Sequence, residues 1–334
     1  MMLRRRFSSS AADMLVHARR SATPLPRLPE AVRPATLDEA YAVQAEGWSA
    51  TLAQYEDTRR IGYKVAATSE MAQASVDMTH PFAGALFSHS TYGYDDDDGG
   101  EGVDDDGGGA MAKHRTWRLS AASFGEFRLI EPEFGLVLHH DIAPGTDHTR
   151  DSVAAAVGGV VPCIELVASG FDLGSADDTA AQLAGFRSLG ALSLISDNAS
   201  HGAWIVGQHK HPDLEIWQRS GVEAGLPVKD PITNRPDHRR LLPHKFEWLL
   251  DELDTHRCKL YLNDELVAEG DGSAVLGHPL NSLAWLANHL GTGLQAGEVV
   301  TTGVVVNGLV NARAGDLVRA EFGTLGTVEI MFEP

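Results

Sequence analysis

The sequence predicts an α+β protein, and three observations carry that reading. Leu129 to His139 (LIEPEFGLVLH) alternates with the two-residue period of a strand. Val160 to Val167 (VVPCIELV) is an apolar run of strand length. Leu37 to about Gln54, and the stretch opened by Pro279, carry helix-forming composition with helix-end signals. With 43% hydrophobic residues, the 334-residue chain can bury a substantial core, as one large domain or two smaller ones. No apolar run approaches the roughly 18 residues of a membrane-spanning helix.

Taken in order, the first 22 residues set Arg4, Arg5, Arg6, Arg19 and Arg20 among Ser8, Ser9, Ser10 and Ala11, with Asp13 the only acid. Such a basic, serine-rich, acid-poor start reads as a mitochondrial presequence, cut near residues 12–25 and absent from the mature matrix protein. An ordinary basic tail on a cytoplasmic protein is the alternative. Leu37 to about Gln54 is rich in Ala, Leu, Glu and Gln, and Thr36 is placed to cap it. Residues 61–68 (IGYKVAAT) read as a strand carrying Lys64. The Gly/Asp stretch 93–112 holds almost nothing apolar and reads as a disordered, solvated insertion; a Ca²⁺ loop would need ligands at set positions.

In the strand 129–139, Leu129, Glu131, Glu133, Gly135 and Val137 face one way. Ile130, Pro132, Phe134, Leu136 and Leu138 face the other. Pro132 lacks a ladder donor and points to an edge strand or a bulge. Ser152 to Val157 reads as helix, and Val160 to Val167 as a second strand with Glu165 in an otherwise apolar run. Residues 209–256 are polar, Pro-rich and irregular, a second insertion with a helix at Lys245–Leu253. Lys259 to Glu269 reads as a hairpin turning at Asn263-Asp264. Pro279 opens a helix with Leu280, Leu283, Ala284, Ala287 and Leu290 on one face and Gly291 past its end. The tail is β-rich, at Glu298–Val305, Asp316–Phe322 and Thr327–Phe332. A single domain over residues 23–334 is expected.

The formal net charge of −19 argues against nucleic acid or an anionic membrane as partner, although eight of the acids lie within residues 95–109. Cys163 and Cys258 are too few for a disulfide framework or a four-cysteine zinc site. The 15 histidines show no H-E-x-x-H or comparable zinc spacing outside the polar insertion. His201 is a possible pocket residue and no more.

Glu131 and Glu133, two apart on a strand, have Cα atoms roughly 6.5–7 Å apart on one face, close enough to converge on one ion. An E-x-E on a strand is usually a solvated face. Glu165 strengthens the metal reading, because an acid in VPCIELV has no reason to be there unless it is paired. Hard divalent cations such as Mg²⁺ or Mn²⁺ prefer carboxylate oxygens.

The blocks LDEAYAVQ (37–44), GYKVAATS (62–69), PFAGALF (81–87), EPEFGLVL (131–138), VPCIELV (161–167), SDNASHG (196–202), LGHPLNSLAWLANHL (276–290) and GEVVTTG (297–303) follow one another in a specific order. In these the chain resembles the 2-keto-4-pentenoate hydratase and 4-oxalocrotonate decarboxylase family of the fumarylacetoacetate hydrolase superfamily. The resemblance covers most of residues 33–334 outside the two insertions. It implies a mixed β-roll with peripheral helices and a Mg²⁺ or Mn²⁺ ion held by Glu131, Glu133 and Glu165. The expected substrate is a small 2-oxo or 2-hydroxy carboxylic acid that chelates the ion.

The same resemblance implies that Lys64 binds or proton-shuttles at the dienol, that Asp77 lies near it, and that Ser200, Thr302 and Gly303 line the pocket. Beside a cation and within a pocket, the lysine is expected to have a lowered pKa. The expected assembly is a homo-oligomer. Three departures stand out. Ala66 replaces a glycine, three residues separate Asp77 from Pro81 where one is expected, and the stretch from Glu165 to Ser200 is about a dozen residues longer than the motif spacing. The implied activity is hydration of a 2-hydroxy-2,4-dienoate to a 4-hydroxy-2-oxo acid. The alternatives are decarboxylation of a 2-oxo-dioate, C–C hydrolysis of an acylpyruvate, or a non-catalytic partner subunit.

Overall fold

The computed structural model of the chain describes residues 10–92, 116–175, 177–207 and 249–334. The insertion expected at 93–112 and the greater part of the one expected at 209–256 lie outside them. The described residues form two mixed sheets with helices at their margins, as an α+β reading requires. The first sheet runs β2 (Phe82–Phe87), β1 (Arg60–Ala66), β10 (Val299–Thr301), β5 (Leu129–Leu138), β6 (Val157–Val167), β7 (His201–Val206) and β3 (Thr91–Tyr92), with β11 (Val310–Asn311) also on β5. The second runs β4 (Thr116–Ser120), β13 (Thr327–Glu333), β12 (Leu317–Glu321), β8 (Arg257–Leu262) and β9 (Glu265–Asp271). The pairs β1–β10, β3–β7 and β4–β13 are parallel, and the others antiparallel.

The alternation read in β5 sorts its side chains between two environments. Ile130, Phe134, Leu136 and Leu138 enter the main core with Ile164 and Leu166 of β6 and with Phe322, Ile330 and Phe332 from the second sheet and its flank. Each such side chain contributes roughly 1.5–3 kcal/mol by leaving water. On the other face, Val137 packs with Val161, Cys163, Trp204, Val299 and Leu86, beside the acids. Pro132 is neither on an edge nor at a bulge: β5 is an interior strand. The Pro132 carbonyl accepts from Val305 N–H at 3.0 Å, on the side of β5 that carries β10 and β11. In an antiparallel strand the nitrogen of the same residue points that way too. It faces the gap between β10, which pairs with residues 135–137, and β11, which pairs with 129–130, so no ladder bond is lost.

Helix α2 (Leu37–Gln54) follows Thr36, whose hydroxyl accepts from Glu39 N–H. The hairpin β8–β9 turns at Asn263 and Asp264, both left-handed at φ 52° and 65°, a conformation these two residues tolerate. Pro279 opens the helix Pro279–His289, which His278 caps; it is α6 in chain order.

Four expectations change. The helix expected at 152–157 is the single turn α4 (Arg150–Ala154), and Val157 already belongs to β6 because it is drawn into the core. The second insertion ends before 256, since Leu249, Leu250 and Leu253 are buried in the main core. The stretch between Glu165 and Ser200, noted only for its length, carries helix α5 (Thr179–Ser196), broken at Gly190. The boundary at residue 22 is not a structural one: Ala11–Arg20 form helix α1, closed by a Ser10–Asp13 capping box, and Ala11 and Leu15 are buried with Leu28 and Phe171. Helix α3 spans Glu70–Ser75. Among the described residues no helix is long and apolar enough to cross a membrane.

Candidate metal centre

Three strands bring the charged residues together. Glu131 and Glu165 are direct partners across the β5–β6 ladder, and Glu133 stands opposite Cys163. Carboxylate oxygens of Glu131, Glu133 and Glu165 all lie within 4.8 Å of one another. Lys64 arrives from β1, level with Gly84 on one side and Thr301 on the other. Its Nζ lies 3.0 Å from Glu165 Oε1 and donates to the Ala199 carbonyl at 2.9 Å. Lys64 is fully enclosed, as are Glu133 and Glu165, while Glu131 keeps some contact with solvent.

Like charges this close cannot all ionise cheaply. Burial pushes the Glu131 carboxyl up to about 7; Lys64 draws it down, and the Glu165 charge adds to the rise. Burial, reinforced by Glu165 and Glu131, raises Glu133 well above the usual carboxylate range. Glu165 goes the other way. Burial raises it, but Lys64 and His201 together hold it below its ordinary value. Burial lowers the Lys64 ammonium, yet without an ion Glu165, Glu131 and Glu133 outweigh that and hold it raised.

Two oxygens in this cluster, Glu133 Oε1 and Glu165 Oε2, are buried with no hydrogen-bond partner. A buried carboxylate oxygen left bare costs about 1–3 kcal/mol or more, and a cation between the three side chains would satisfy both. The donor set, all hard oxygen, suits a divalent ion of the Mg²⁺ or Mn²⁺ type.

The pocket residues expected from sequence divide. Ser200 is at the site: it is buried and its Oγ has no partner. Thr302 and Gly303 are also there, but both act on the protein. Thr302 Oγ1 donates to the Phe134 carbonyl at 3.1 Å, and Gly303 N–H donates to Glu133 Oε2 at 2.8 Å, aiming that carboxylate. Asp77 is not brought in. It is exposed past the end of α3, in left-handed conformation at φ 57°, and the partners of Lys64 are Ala199 and Glu165 instead. The longer 77–81 connection is the physical reason for its displacement.

Gly303 admits no side chain. Its φ is +107°, and a Cβ there would lie 2.0 Å from Thr68 Oγ1. Gly303→Ala is expected to destabilise the protein by about 1–3 kcal/mol from backbone strain alone and to turn Glu133 away. Calorimetric unfolding checks this. Adding Thr68→Ala removes the closest contact but not the φ penalty, so recovery should be partial; an unchanged midpoint for Gly303→Ala alone would refute the fit described here.

Sequence reasoning gave His201 no role and passed over Thr301. His201 Nδ1 lies 3.1 Å from Glu165 Oε1, and its Nε2 lies 3.2 Å from Ser90 Oγ. Burial keeps this imidazole's pKa low despite the carboxylate, so it is neutral and donates from Nδ1. The signal was the SDNASHG block, in which the histidine directly follows Ser200. Thr301, not Thr302, has the unpartnered buried hydroxyl, and its register beside Lys64 is visible only once β1 and β10 pair. Cys163 is a core thiol: burial raises its pKa, and its Sγ donates to the Glu133 carbonyl at 3.2 Å.

The turn that delivers Ala199 and Ser200 is strained. Asn198, Ala199 and Ser200 are left-handed in succession, at φ 52°, 52° and 57°, a conformation that costs on the order of 1–3 kcal/mol for such residues. Gly84 lets the turn approach β2, since a Cβ there would sit 2.5 Å from the Asn198 carbonyl oxygen. Asn198 fixes the approach, exchanging side-chain hydrogen bonds with the backbone of Ala85 at 2.8 and 3.0 Å.

Residues 126–332 match the family model of the fumarylacetoacetate (FAA) hydrolase C-terminal domain. The chain is 27% identical over 334 residues to 2-keto-4-pentenoate hydratase 1 of Dechloromonas aromatica (strain RCB), covering 97% of each chain. It is 27% identical over 337 residues to 2-hydroxyhexa-2,4-dienoate hydratase of Comamonas testosteroni, covering 98% of each. The solved structure of 4-oxalocrotonate decarboxylase from Pseudomonas putida G7, complexed with magnesium and adipate, superposes with a TM-score of 0.70 at 21% identity. It covers 96% of this chain and 95% of that one, a likeness of fold.

Proposed function

The chain belongs to the fumarylacetoacetate hydrolase C-terminal family, and from that premise we propose that it is a metal-dependent hydratase. It adds water to a 2-hydroxy-2,4-dienoate of the 2-oxopent-4-enoate type to give a 4-hydroxy-2-oxo acid. The observation that carries the reading is the convergence of three carboxylates with two bare buried oxygens, in a chain similar over its full length to dienoate hydratases. Charge supports a divalent ion. Three ionised glutamates and one ammonium leave two negative charges, which Mg²⁺ or Mn²⁺ would neutralise.

Glu131, Glu133 and Glu165 would hold that ion, with Gly303 N–H and His201 orienting two of them. When bound, the ion supplies Lewis acidity toward a 2-oxo acid and compensates charge that builds up on an enolate. In the reaction, the substrate's 2-hydroxyl gives up a proton and C5 gains one, which leaves C3=C4 conjugated with the C2 carbonyl. The oxygen of water then adds at C4 and a proton at C3. Lys64, whose ammonium reaches the cluster from β1, is the proton donor. The Ala199 carbonyl and Glu165 fix its Nζ. The free Ser200 hydroxyl is available to hydrogen-bond substrate or the attacking water.

The test is product analysis of purified protein with Mg²⁺ or Mn²⁺ and a panel of dienoates, 2-oxo-dioates and acylpyruvates. The expected product is the 4-hydroxy-2-oxo acid. Release of CO₂ would assign decarboxylation, and release of pyruvate from an acylpyruvate would assign C–C hydrolysis. No turnover on any member would favour a non-catalytic partner.

A further inference from the structure

The turn that supplies Ala199 and His201 to the centre does not hold itself. Its successive left-handed residues persist only where surrounding groups impose them, and one side chain from a distant part of the sequence closes on it. Arg19, in the last turn of α1, places Nε 2.6 Å from Asp197 Oδ1. One terminal nitrogen donates to the His201 carbonyl at 2.8 Å. The other donates to the carbonyls of Ala168 at 2.9 Å and Asp197 at 3.1 Å. A single guanidinium thus bridges both ends of the 197–201 turn and the segment just beyond β6. Asp197 is buried, and its second carboxylate oxygen takes the Gly170 N–H at 2.8 Å, so the anchor is itself fixed. This rigid fork of donors cannot be reproduced by an ammonium.

We propose that Arg19 is a positioning residue of the centre: by clamping the 197–201 turn it keeps the Ala199 carbonyl on Lys64 and the His201 imidazole on Glu165. In its metal and turnover readouts the inference rests on the function proposed above. Helix α1 is then part of the working protein, and a processing cut after Arg19 would disable the site it was meant to release.

The experiment uses the full chain with Arg19→Ala and three readouts: amide hydrogen exchange, Mn²⁺ affinity by calorimetry, and steady-state turnover. The Ser200 and Ala168 amides, whose acceptors are Asp197 and Ser200, should exchange faster. Mn²⁺ affinity and kcat should each fall on the order of 10–100-fold, as for a displaced outer partner of a metal site, with little change in KM. Millimolar guanidinium should restore much of both, while ammonium at equal ionic strength should not. Arg19→Lys keeps the charge and the helix and should resemble the alanine variant; it carries the test if Arg19→Ala does not fold. Wild-type exchange and Mn²⁺ affinity in a folded variant would overturn the proposal, as would a loss that guanidinium leaves uncorrected. A wild-type chain that binds no Mn²⁺ ends the metal reading instead, and the exchange measurement then decides the clamp by itself.

Discussion

Lys64→Met lowers turnover on the order of 10²–10⁴-fold, the usual contribution of a positioned proton donor, while metal binding persists or tightens. The substitution keeps the apolar stem and removes the charge. Lys64 cannot coordinate a cation, and its Nζ instead sits 3.0 Å from Glu165 Oε1, where it competes with an ion for that carboxylate's charge. The stability readout separates this from general damage. In the metal-free variant Glu165 is a buried carboxylate without its ammonium, a change that costs about 3–5 kcal/mol when one partner of a buried pair is lost. Mn²⁺ should recover most of that, so the metal-induced rise in melting temperature should be larger in the variant than in the wild type. Near-normal turnover would remove Lys64 from the chemistry. Lost metal binding would recast it as a structural brace.

Chelation abolishes turnover, and Mg²⁺ or Mn²⁺ restores it. Glu133→Gln weakens metal binding by more than the roughly 10–100-fold typical of outer partners, with activity falling as a consequence. The pH dependence has a definite sign. In the metal-free folded state the Glu131 carboxyl, raised to about 7, and the Glu133 carboxyl, raised well above the usual carboxylate range, hold protons that an unfolded chain releases at about pH 4. The contribution of these two groups to stability is therefore fully present below about pH 4 and declines as pH rises towards about 7. Metal binding displaces those protons, so affinity should climb about tenfold per pH unit for each one, up to pH 7 and beyond. Isothermal titration in buffers of different ionisation enthalpy counts the protons released. Full turnover in a metal-free preparation, or affinity that is flat from pH 5 to 7, would defeat this account of the centre.

Much of this centre is legible in the sequence because its signals are local. Glu131 and Glu133 alternate with a run of core residues, and Glu165 interrupts an apolar strand that has no other use for an acid. Thr36 marks the start of α2, and Asn263-Asp264 marks the hairpin turn, each by chemistry contained within a few residues. The misreadings have equally concrete causes. Composition overrode pattern at α1, where Ser10 and Asp13 form a capping box and Ala11, Leu15 and Ala18 make a buried stripe. Helix α5 hides behind Gly185 and Gly190 and has no clear apolar face. Asp77 was placed by motif alone, and a connection two residues longer takes it into solvent. Arg19 and Thr301 depend on which strands and turns meet, which no window of sequence contains.

The parallel pairing of β1 with β10 sets when the site can exist. Lys64 stands beside Thr301, and Glu133 takes its backbone donor from Gly303. On the ribosome, the three glutamates and the lysine emerge long before either partner. A nascent chain that has not reached residue 299 lacks the strand that separates β1 from β5, so Lys64 has no place beside the acids and Glu133 has no Gly303 donor. Pairings this distant in sequence also form slowly. The complete centre, lysine and oriented carboxylate included, therefore forms late. A divalent cation loading at that stage would be the one abundant where folding finishes, and availability there, more than preference among hard-oxygen ligands, would decide between magnesium and manganese.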